Sequence, residues 1–312
     1  MINRRLIRIK TFQSLFGDLE NKDTRPSQIQ NNIKKSITGM EMNFMAVLSF
    51  VPELAHFIST EHNPKDFKFN TSQEDLKSFE IFTNNLFIKQ LEKNETLANY
   101  LSRPKLNWSD EKEVLFIIYK EIKKTQEFNT IIHSELKATD FVVFSKFIYK
   151  HLLLDSVEFE QLMEEKNIYW YDEKIPILKG IEKIFEEFKT HQKITMPPFF
   201  KNEKEDLAMA DDLVALYYEH KSELENSISE YTPDWDNDRI TKIDYILMLM
   251  ASIELRYMPL IPVKVTLNEY IEIAKMYSTP KSSKFINGTL DKILHDWKKR
   301  DLIHKKGRGL IG

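Results

Sequence analysis

Three amphipathic helical patterns between residues 240 and 297 constrain the fold of this chain more than any other feature. Apolar residues recur there at intervals of three and four, the period of a helix with one buried face. The members of the three patterns are Ile243, Ile246, Leu247, Met250 and Ile253, then Leu267, Tyr270, Ile271 and Ala274, then Phe285, Ile286, Leu290 and Ile293. Because the joints between the patterns are short and carry prolines, the sequence predicts three consecutive packed helices.

Two of these helices have marked starts. Thr266-Leu-Asn-Glu269 has the spacing of a capping box and predicts the start of the second helix. Pro280 predicts the first turn of the third helix, since proline there loses no hydrogen bond. Gly288 lies inside the third pattern, where glycine costs about 1 kcal/mol relative to alanine. We attribute Gly288 to a close helix–helix approach, with a ligand contact as the alternative.

Composition supports an all-α fold. The 312 residues include only seven glycines, whereas nucleotide-binding sheets and β-rich folds need glycine-rich turns. The absence of cysteine excludes disulfides, thiolate metal sites and cysteine nucleophiles, and it fits a reducing compartment. The first residues carry charge where a signal peptide needs an apolar core, and no apolar run approaches the ~18 residues of a spanning helix. We therefore expect a cytoplasmic protein with no membrane partner.

Helical spacing continues through the preceding residues. The predicted helices there are Ile2–Leu19, Ser27–Thr38, Met40–Phe57 with Pro52 as a kink, Gln73–Leu91, Asp110–Lys124, Ala138–Leu154, Glu158–Lys166, Asp172–Thr190 and Glu203–Tyr231. The clearest break is Thr195-Met-Pro-Pro-Phe-Phe. We therefore predict two domains: residues 1–198, a basic N-terminal helix plus an extended helical region, and residues 199–312, a helical domain with a basic tail.

Basic side chains are concentrated at the two ends of the chain. Arg4, Arg5, Arg8 and Lys10 lie on the first predicted helix, and six further cations occur between residues 298 and 308. With a net charge of −3, any nucleic-acid contact must use such local patches. Each cluster is either a solvated surface or a phosphate-binding one. The final G-x-G-x-x-G is not a dinucleotide site, because no strand precedes it and no helix follows it.

The sequence gives no sign of catalysis, a metal site or a cofactor. The eight histidines lack paired ligand spacing, and no G-x-S-x-G elbow occurs. Glu254 is the one unusual acid, because it follows a rich apolar stripe between Ile253 and Leu255. It is a solvent-facing glutamate, a carboxylate at a protein interface, or the partner of a buried base.

The order of several short motifs resembles the NusB family of bacterial transcription antitermination factors. At the N-terminus these are Arg4-Arg5-Leu-Ile-Arg8 and Gln13-Ser-Leu-Phe16. The C-terminal motifs are Ile243-Asp244, Glu254, Ile261-Pro262, Asn268-Glu269, Ala274-Lys275 and Phe285-Ile-Asn287-Gly288-Thr-Leu-Asp291. The resemblance covers about residues 1–20 and 205–297. The segment from residue 26 to residue 198 has no counterpart in short members and resembles the long form of Bacteroidetes-type bacteria.

The resemblance implies a NusB-like helical bundle with a long helical insertion between the first helix and the C-terminal block. It implies binding of boxA-type single-stranded RNA together with NusE, a small-subunit ribosomal protein. The pair would join the RNA polymerase elongation complex and suppress termination on ribosomal RNA operons. The resemblance also leaves open whether the protein forms a homodimer, as some family members do. The family's RNA contacts would correspond to Arg4, Arg5, Arg8, Lys10, Lys284, Phe285 and Asn287, with Phe285 as a base-stacking platform, and Glu254 would contact a protein partner.

Two other functions remain open at this point. Some RNA cytosine methyltransferases carry a NusB-like accessory domain, but they add a glycine-rich α/β domain that this sequence lacks. A ribosomal RNA or ribosome assembly factor would use the same RNA and partner surfaces without acting on polymerase. The sequence does not indicate what residues 26–198 do.

Overall fold

The protein, described here as a computed structural model, is all-α. The structure describes residues 1–19, 21, 25–67, 71–101, 108–135, 137–232 and 241–310. Its helices are α1 (Arg4–Gly17), α2 (Pro26–Glu61), α3 (Pro64–Phe67), α4 (Gln73–Thr83), α5 (Leu86–Glu92), α6 (Glu95–Leu101), α7 (Lys112–Lys124), α8 (Gln126–Ile132), α9 (Ala138–Leu154), α10 (Val157–Lys166), α11 (Trp170–His191), α12 (Glu203–Glu230), α13 (Lys242–Tyr257), α14 (Val263–Tyr277) and α15 (Pro280–Lys299). Across those ranges the only extended pairing is a bridge between Ile2 and Phe200. The predicted fold class, including the long helical insertion, is confirmed.

Two compact units make up the chain. The first comprises Met1 and Thr38–Phe199, and the second comprises Ile2–Ile37 and Phe200–Gly312. This grouping differs from the predicted domains 1–198 and 199–312 for residues 2–37 and for residue 199. Those residues join the C-terminal helices because α1 packs against α12 and α13. The division into separately folding domains stays a prediction.

The core of the first unit is rich in aromatic side chains around α2. Trp108 packs edge-on against Phe50 at 4.8 Å, and its indole N–H donates to the carbonyl of Ala46 at 3.0 Å. Pro52 lies inside α2, where its missing N–H leaves the carbonyl of Leu48 without a helical donor. The buried Tyr149 hydroxyl donates to that carbonyl at 2.6 Å, so the polar group is satisfied and the helix continues.

Two of the predicted helix boundaries are corrected by the structure. The ranges Ser27–Thr38 and Met40–Phe57 form the single helix α2, because the helix continues through Gly39 between them. The range Gln73–Leu91 is divided into α4 and α5, because the Asn85 side chain accepts hydrogen bonds from the N–H groups of Phe87 and Ile88 and caps a new helix. The prediction that no run approaches the length of a spanning helix is corrected for α2, which is apolar and long enough by length and composition alone. Its most apolar window is 78% buried, as in a core helix.

Helix α13 is the centre of the second unit. Every residue from 246 to 255 is buried, and α13 packs against α1, α12, α14 and α15. A helix that is buried on all sides must be surrounded by others, which accounts for its nearly continuous apolar sequence. The Thr241 hydroxyl caps it by accepting from the N–H of Asp244 at 3.1 Å.

The three predicted C-terminal helices are present, with one start corrected. Helix α15 begins as predicted, with Thr279 as its N-cap and Pro280 in its first turn. Helix α14 begins at Val263, so Thr266 lies within the helix and does not cap it. The Thr266 hydroxyl contacts Glu254 instead.

Gly288 does not mark a close helix approach. Among the residues that the structure describes, and apart from the chain neighbours and backbone of its own helix, no atom lies within 4 Å of the position that a Cβ would occupy there. Gly288 is exposed on α15. The predicted packing role is therefore wrong, and the alternative of a ligand contact remains a prediction.

Candidate nucleic-acid interface

Helix α1 positions the N-terminal arginines. The Asn3 side chain caps the helix by accepting from the N–H of Leu6 at 2.9 Å, and an apolar stripe that includes Leu6 and Phe12 is buried in the second unit. Arg4 and Arg8 are one helical turn apart, and Arg5 lies one step around the helix. The three side chains consequently reach different surroundings, although they are close in sequence.

Arg8 is buried in a two-pronged ion pair with Glu254. Its Nε lies 2.6 Å from Glu254 Oε1 and its NH2 group lies 2.9 Å from Oε2. The side chains are 1% and 0% exposed. Burial lowers the pKa of Arg8, but the charge and hydrogen bonds of Glu254 outweigh it and hold the pKa above its ordinary value. Parallel hydrogen bonds of this kind fix the geometry of an arginine strongly.

Further donors from two segments, α14 and the C-terminal tail, complete the surroundings of Glu254. The hydroxyls of Tyr270 and Thr266 donate to its carboxylate at 2.8 and 3.2 Å. Lys305 donates to the main-chain carbonyls of Glu254 and Met258 at 2.8 and 3.0 Å, at the C-terminal end of α13. Burial lowers the pKa of the Lys305 ammonium to about 8, although the charge of Glu254 opposes this shift. Of the three interpretations of Glu254, the structure shows the pair with a buried base.

These positions differ from the predicted roles of three residues. Arg8, Lys10 and Glu254 are all buried within the second unit. A direct phosphate contact by Arg8, or a direct partner contact by Glu254, would require their ion pair to open. Breaking a buried pair is costly because it leaves an uncompensated charge inside the protein. In this structure the pair instead joins α1 to α13.

Arg4 and Arg5 present their guanidinium groups at the surface. Arg5 contacts Glu269 through Nε at 2.6 Å and NH2 at 3.0 Å, and Arg4 contacts Asp206 and Glu205 at 3.3 and 3.2 Å. The side chain of Arg5 is 41% exposed and that of Arg4 is 37% exposed. Exposed ion pairs of this kind are worth only about 0–1 kcal/mol. Glu205, 46% exposed, is the carboxylate that an incoming phosphate can replace at little energetic cost, whereas the Asp206 side chain is only 6% exposed and stays beside Arg4.

The remaining predicted RNA contacts lie on the first half of α15. Lys284 is exposed, whereas Phe285 and Asn287 are partly exposed. Asn287 Nδ2 donates to Asp291 Oδ2 at 3.3 Å. Partial exposure of Phe285 is compatible with both base stacking and core packing. The structure thus brings the arginines together beside α12 and α14 and places these three residues on a separate helix that packs on α13 and α14.

The C-terminal tail adds a residue that the sequence did not single out. The NH2 group of Arg308 contacts Glu205 Oε2 at 3.0 Å, the same oxygen that Arg4 contacts. Arg4 and Arg308 both line two clefts of about 620 and 630 Å³. Leu260 lies on the wall that these clefts share and is 53% exposed. The crowding of cations after residue 298 was the only sequence signal for this site.

Comparison with known proteins finds a family match in the C-terminal part of the chain. Residues 177–295 match the model of the NusB family. The C-terminal region carries a NusB-family domain. The match covers the expected C-terminal resemblance over residues 205–297 except at its last two positions. It also extends back to residue 177, so the expectation that residues 26–198 lack a counterpart is corrected for residues 177–198. The expected N-terminal resemblance over residues 1–20 lies outside the match and stays a prediction.

Relatives named "Transcription antitermination protein NusB" match part of the chain. The protein of Chloroherpeton thalassium is 44% identical over 89 residues, which are 28% of this chain and 42% of that protein. That of Salinibacter ruber is 44% identical over 90 residues, 29% of this chain and 56% of the relative. That of Methylacidiphilum infernorum is 42% identical over 78 residues, 25% of this chain and 54% of the relative. The chain spans about half the length of these relatives, and no solved structure matches it.

Proposed function

We propose that this protein is a cytoplasmic, non-enzymatic transcription antitermination factor. It binds boxA-type single-stranded RNA together with NusE, the small-subunit ribosomal protein. The complex then joins the elongating RNA polymerase on ribosomal RNA operons. The observation that carries the proposal is the pair of partly exposed arginines, Arg4 and Arg5, on the helix that packs against the NusB-family helices.

The mechanism is binding without chemistry. Arg4 and Arg5 exchange their carboxylate partners for RNA phosphates, and Lys284 adds a third cation. Phe285 stacks on a base and Asn287 donates to a base edge or the backbone, as single-stranded RNA is usually recognised. Arg8 and Lys10 are buried in the second unit and support RNA binding indirectly. The Arg8–Glu254 pair fixes the orientation of α1. Glu254 supports the partner surface indirectly through α13.

The salt dependence of binding measures the number of phosphates contacted. Each phosphate neutralised on a single strand contributes about −0.7 to the slope of log affinity against log salt. With Arg4, Arg5 and Lys284 engaged, the expected slope is about −2. A slope near zero would mean that the arginines keep their carboxylate partners and bind no RNA.

The test is a fluorescence-anisotropy titration of labelled boxA RNA. A scrambled RNA of the same length and composition is the control, and both are titrated with the protein alone and with the protein premixed with its cognate NusE. We expect selective binding of boxA that strengthens with NusE. Equal, weak binding of both RNAs that NusE does not change would contradict the proposal and direct attention to residues 26–198.

A further inference from the structure

The surface around Glu205 has the geometry of an occupied anion site. Two guanidinium groups from opposite ends of the chain converge on one carboxylate oxygen, Glu205 Oε2, at 3.2 Å from Arg4 and 3.0 Å from Arg308. Glu205 and Arg308 are 46% and 62% exposed. The arginine contacts hold the pKa of Glu205 below its usual range, with the Arg308 hydrogen bond as the largest cause. The carboxylate is therefore an anion that a solvent-borne ligand can reach and replace.

The tail that carries Arg308 is held in place by main-chain contacts. The N–H of Lys306 donates to the Pro259 carbonyl at 2.9 Å, and Lys305 caps the end of α13. Gly309 is buried so closely against Pro259 that a Cβ there would lie 2.0 Å from the Pro259 carbonyl oxygen. Only glycine permits this approach, which positions the tail, and with it Arg308, beside Arg4.

The two guanidinium groups of Arg4 and Arg308 favour phosphate as their ligand. Guanidinium groups present a rigid fork of donors that matches carboxylate and phosphate alike, and they are preferred wherever phosphate is recognised. A phosphate has more acceptor oxygens than a carboxylate and can satisfy both forks at once. The two adjoining clefts leave room beside the pair, and the exposed Leu260 gives an apolar surface against which a base can lie.

We propose that Arg4 and Arg308 form one phosphate-binding site for the RNA backbone, and that Glu205 occupies this site as an intramolecular competitor until RNA displaces it. The inference rests on the proposed RNA-binding function and extends its surface to the C-terminal tail. RNA binding then exchanges one anion for another without opening the buried Arg8–Glu254 pair. A polyanion that competes poorly with Glu205 for the two guanidinium groups is therefore kept out of the site.

The test measures affinity for single-stranded RNA by anisotropy at several salt concentrations. Arg308→Ala is expected to weaken binding about tenfold at low salt and to flatten the salt slope by about 0.7, as loss of one phosphate contact predicts. Arg300→Ala is the matched control, because it removes the same charge and a comparable surface ion pair, with Asp296 at 3.2 Å. It should leave both quantities unchanged.

Two further variants distinguish a shared site from separate contacts. If Arg4 and Arg308 hold one phosphate, the fold-loss in RNA affinity of Arg4→Ala/Arg308→Ala should be smaller than the product of the fold-losses of the two single variants. Glu205→Gln keeps the shape of the side chain but removes its charge, and it should raise affinity about two- to fivefold, since a competing anion is lost.

The outcomes separate this inference from the proposed function. If the wild-type protein binds RNA and Arg5→Ala weakens it, while Arg308→Ala behaves like Arg300→Ala, the shared site is refuted and the proposed function stands. A fall in affinity with Glu205→Gln would overturn the competitor role. If the wild-type protein binds no RNA at any salt concentration, the inference and the proposed function fail together.

Discussion

Replacement of Arg8 by methionine should destabilise the second unit far more than the same change at Arg4. Methionine keeps much of the arginine stem's volume but removes the charge. In Arg8→Met the buried Glu254 carboxylate loses both guanidinium contacts and keeps the hydroxyls of Tyr270 and Thr266. Breaking a buried ion pair on one side costs about 3–5 kcal/mol. Arg4 is 37% exposed, and in Arg4→Met the buried Asp206 keeps its hydrogen bond from the N–H of Asn202, so the change should cost only about 1 kcal/mol.

Native-state hydrogen exchange of the α13 amides is the appropriate assay, because it reports the second unit without assuming that the whole chain unfolds in one step. A loss of 1.4 kcal/mol is a factor of ten in an equilibrium constant. The amides of α13 should therefore exchange about 10² to 10⁴ times faster in Arg8→Met. In Arg4→Met they should change by less than about tenfold.

A double variant tests whether the uncompensated charge is the cause. Arg8→Met/Glu254→Leu removes both charges and fills the space with apolar groups, a replacement that is often neutral or stabilising. Its α13 amides should exchange more slowly than those of Arg8→Met alone. If Arg8→Met and Arg4→Met accelerate exchange equally, the buried pair does not hold α1 to α13, and the reasoning is refuted.

Three other predictions follow from single positions. Phe285→Ala should cost about 1–3 kcal/mol of RNA affinity with an unchanged salt slope, whereas Arg5→Ala should flatten the slope; anisotropy titrations at several salt concentrations separate the two. Gly288→Ala should stabilise α15 by up to about 1 kcal/mol in urea denaturation, and a loss of RNA affinity in the same variant would identify a ligand contact there. Because burial lowers the pKa of Lys305 to about 8 from 10.5, the folded state binds fewer protons than the unfolded state between these values, so this residue's contribution to stability rises with pH across that window. In urea denaturation from pH 7 to 10, the free energy of unfolding of the wild type minus that of Lys305→Met should increase with pH. A difference that stays constant would contradict the lowered pKa.

Helices were predictable from the sequence because their signals are local. The apolar period and the Thr279–Pro280 start lie within single helices, and both were found as predicted. The capping box at Thr266 failed for a tertiary reason, since its hydroxyl is engaged by Glu254 from another helix. The contact that satisfies the backbone beside Pro52 is also tertiary, because the donor to the Leu48 carbonyl is Tyr149, 97 positions after Pro52 in the chain.

The candidate site was predictable in its residue types but not in its pairings. Arg4, Arg5 and Arg8 form one basic cluster in the sequence, yet the fold buries Arg8 and exposes the other two. Its partner Glu254 lies 246 positions away, so no local pattern could select the buried pair among the three interpretations. Arg308 joined the site only because the tail folds back along Pro259.

The most direct test of the central claim is a transcription readthrough assay. Purified polymerase transcribes a template with boxA upstream of a terminator, with and without this protein and its cognate NusE, and a template with scrambled boxA is the control. The antitermination account predicts that readthrough rises only when both proteins and an intact boxA are present. Unchanged readthrough under conditions where the complex binds boxA RNA would contradict it and favour a role in ribosomal RNA assembly.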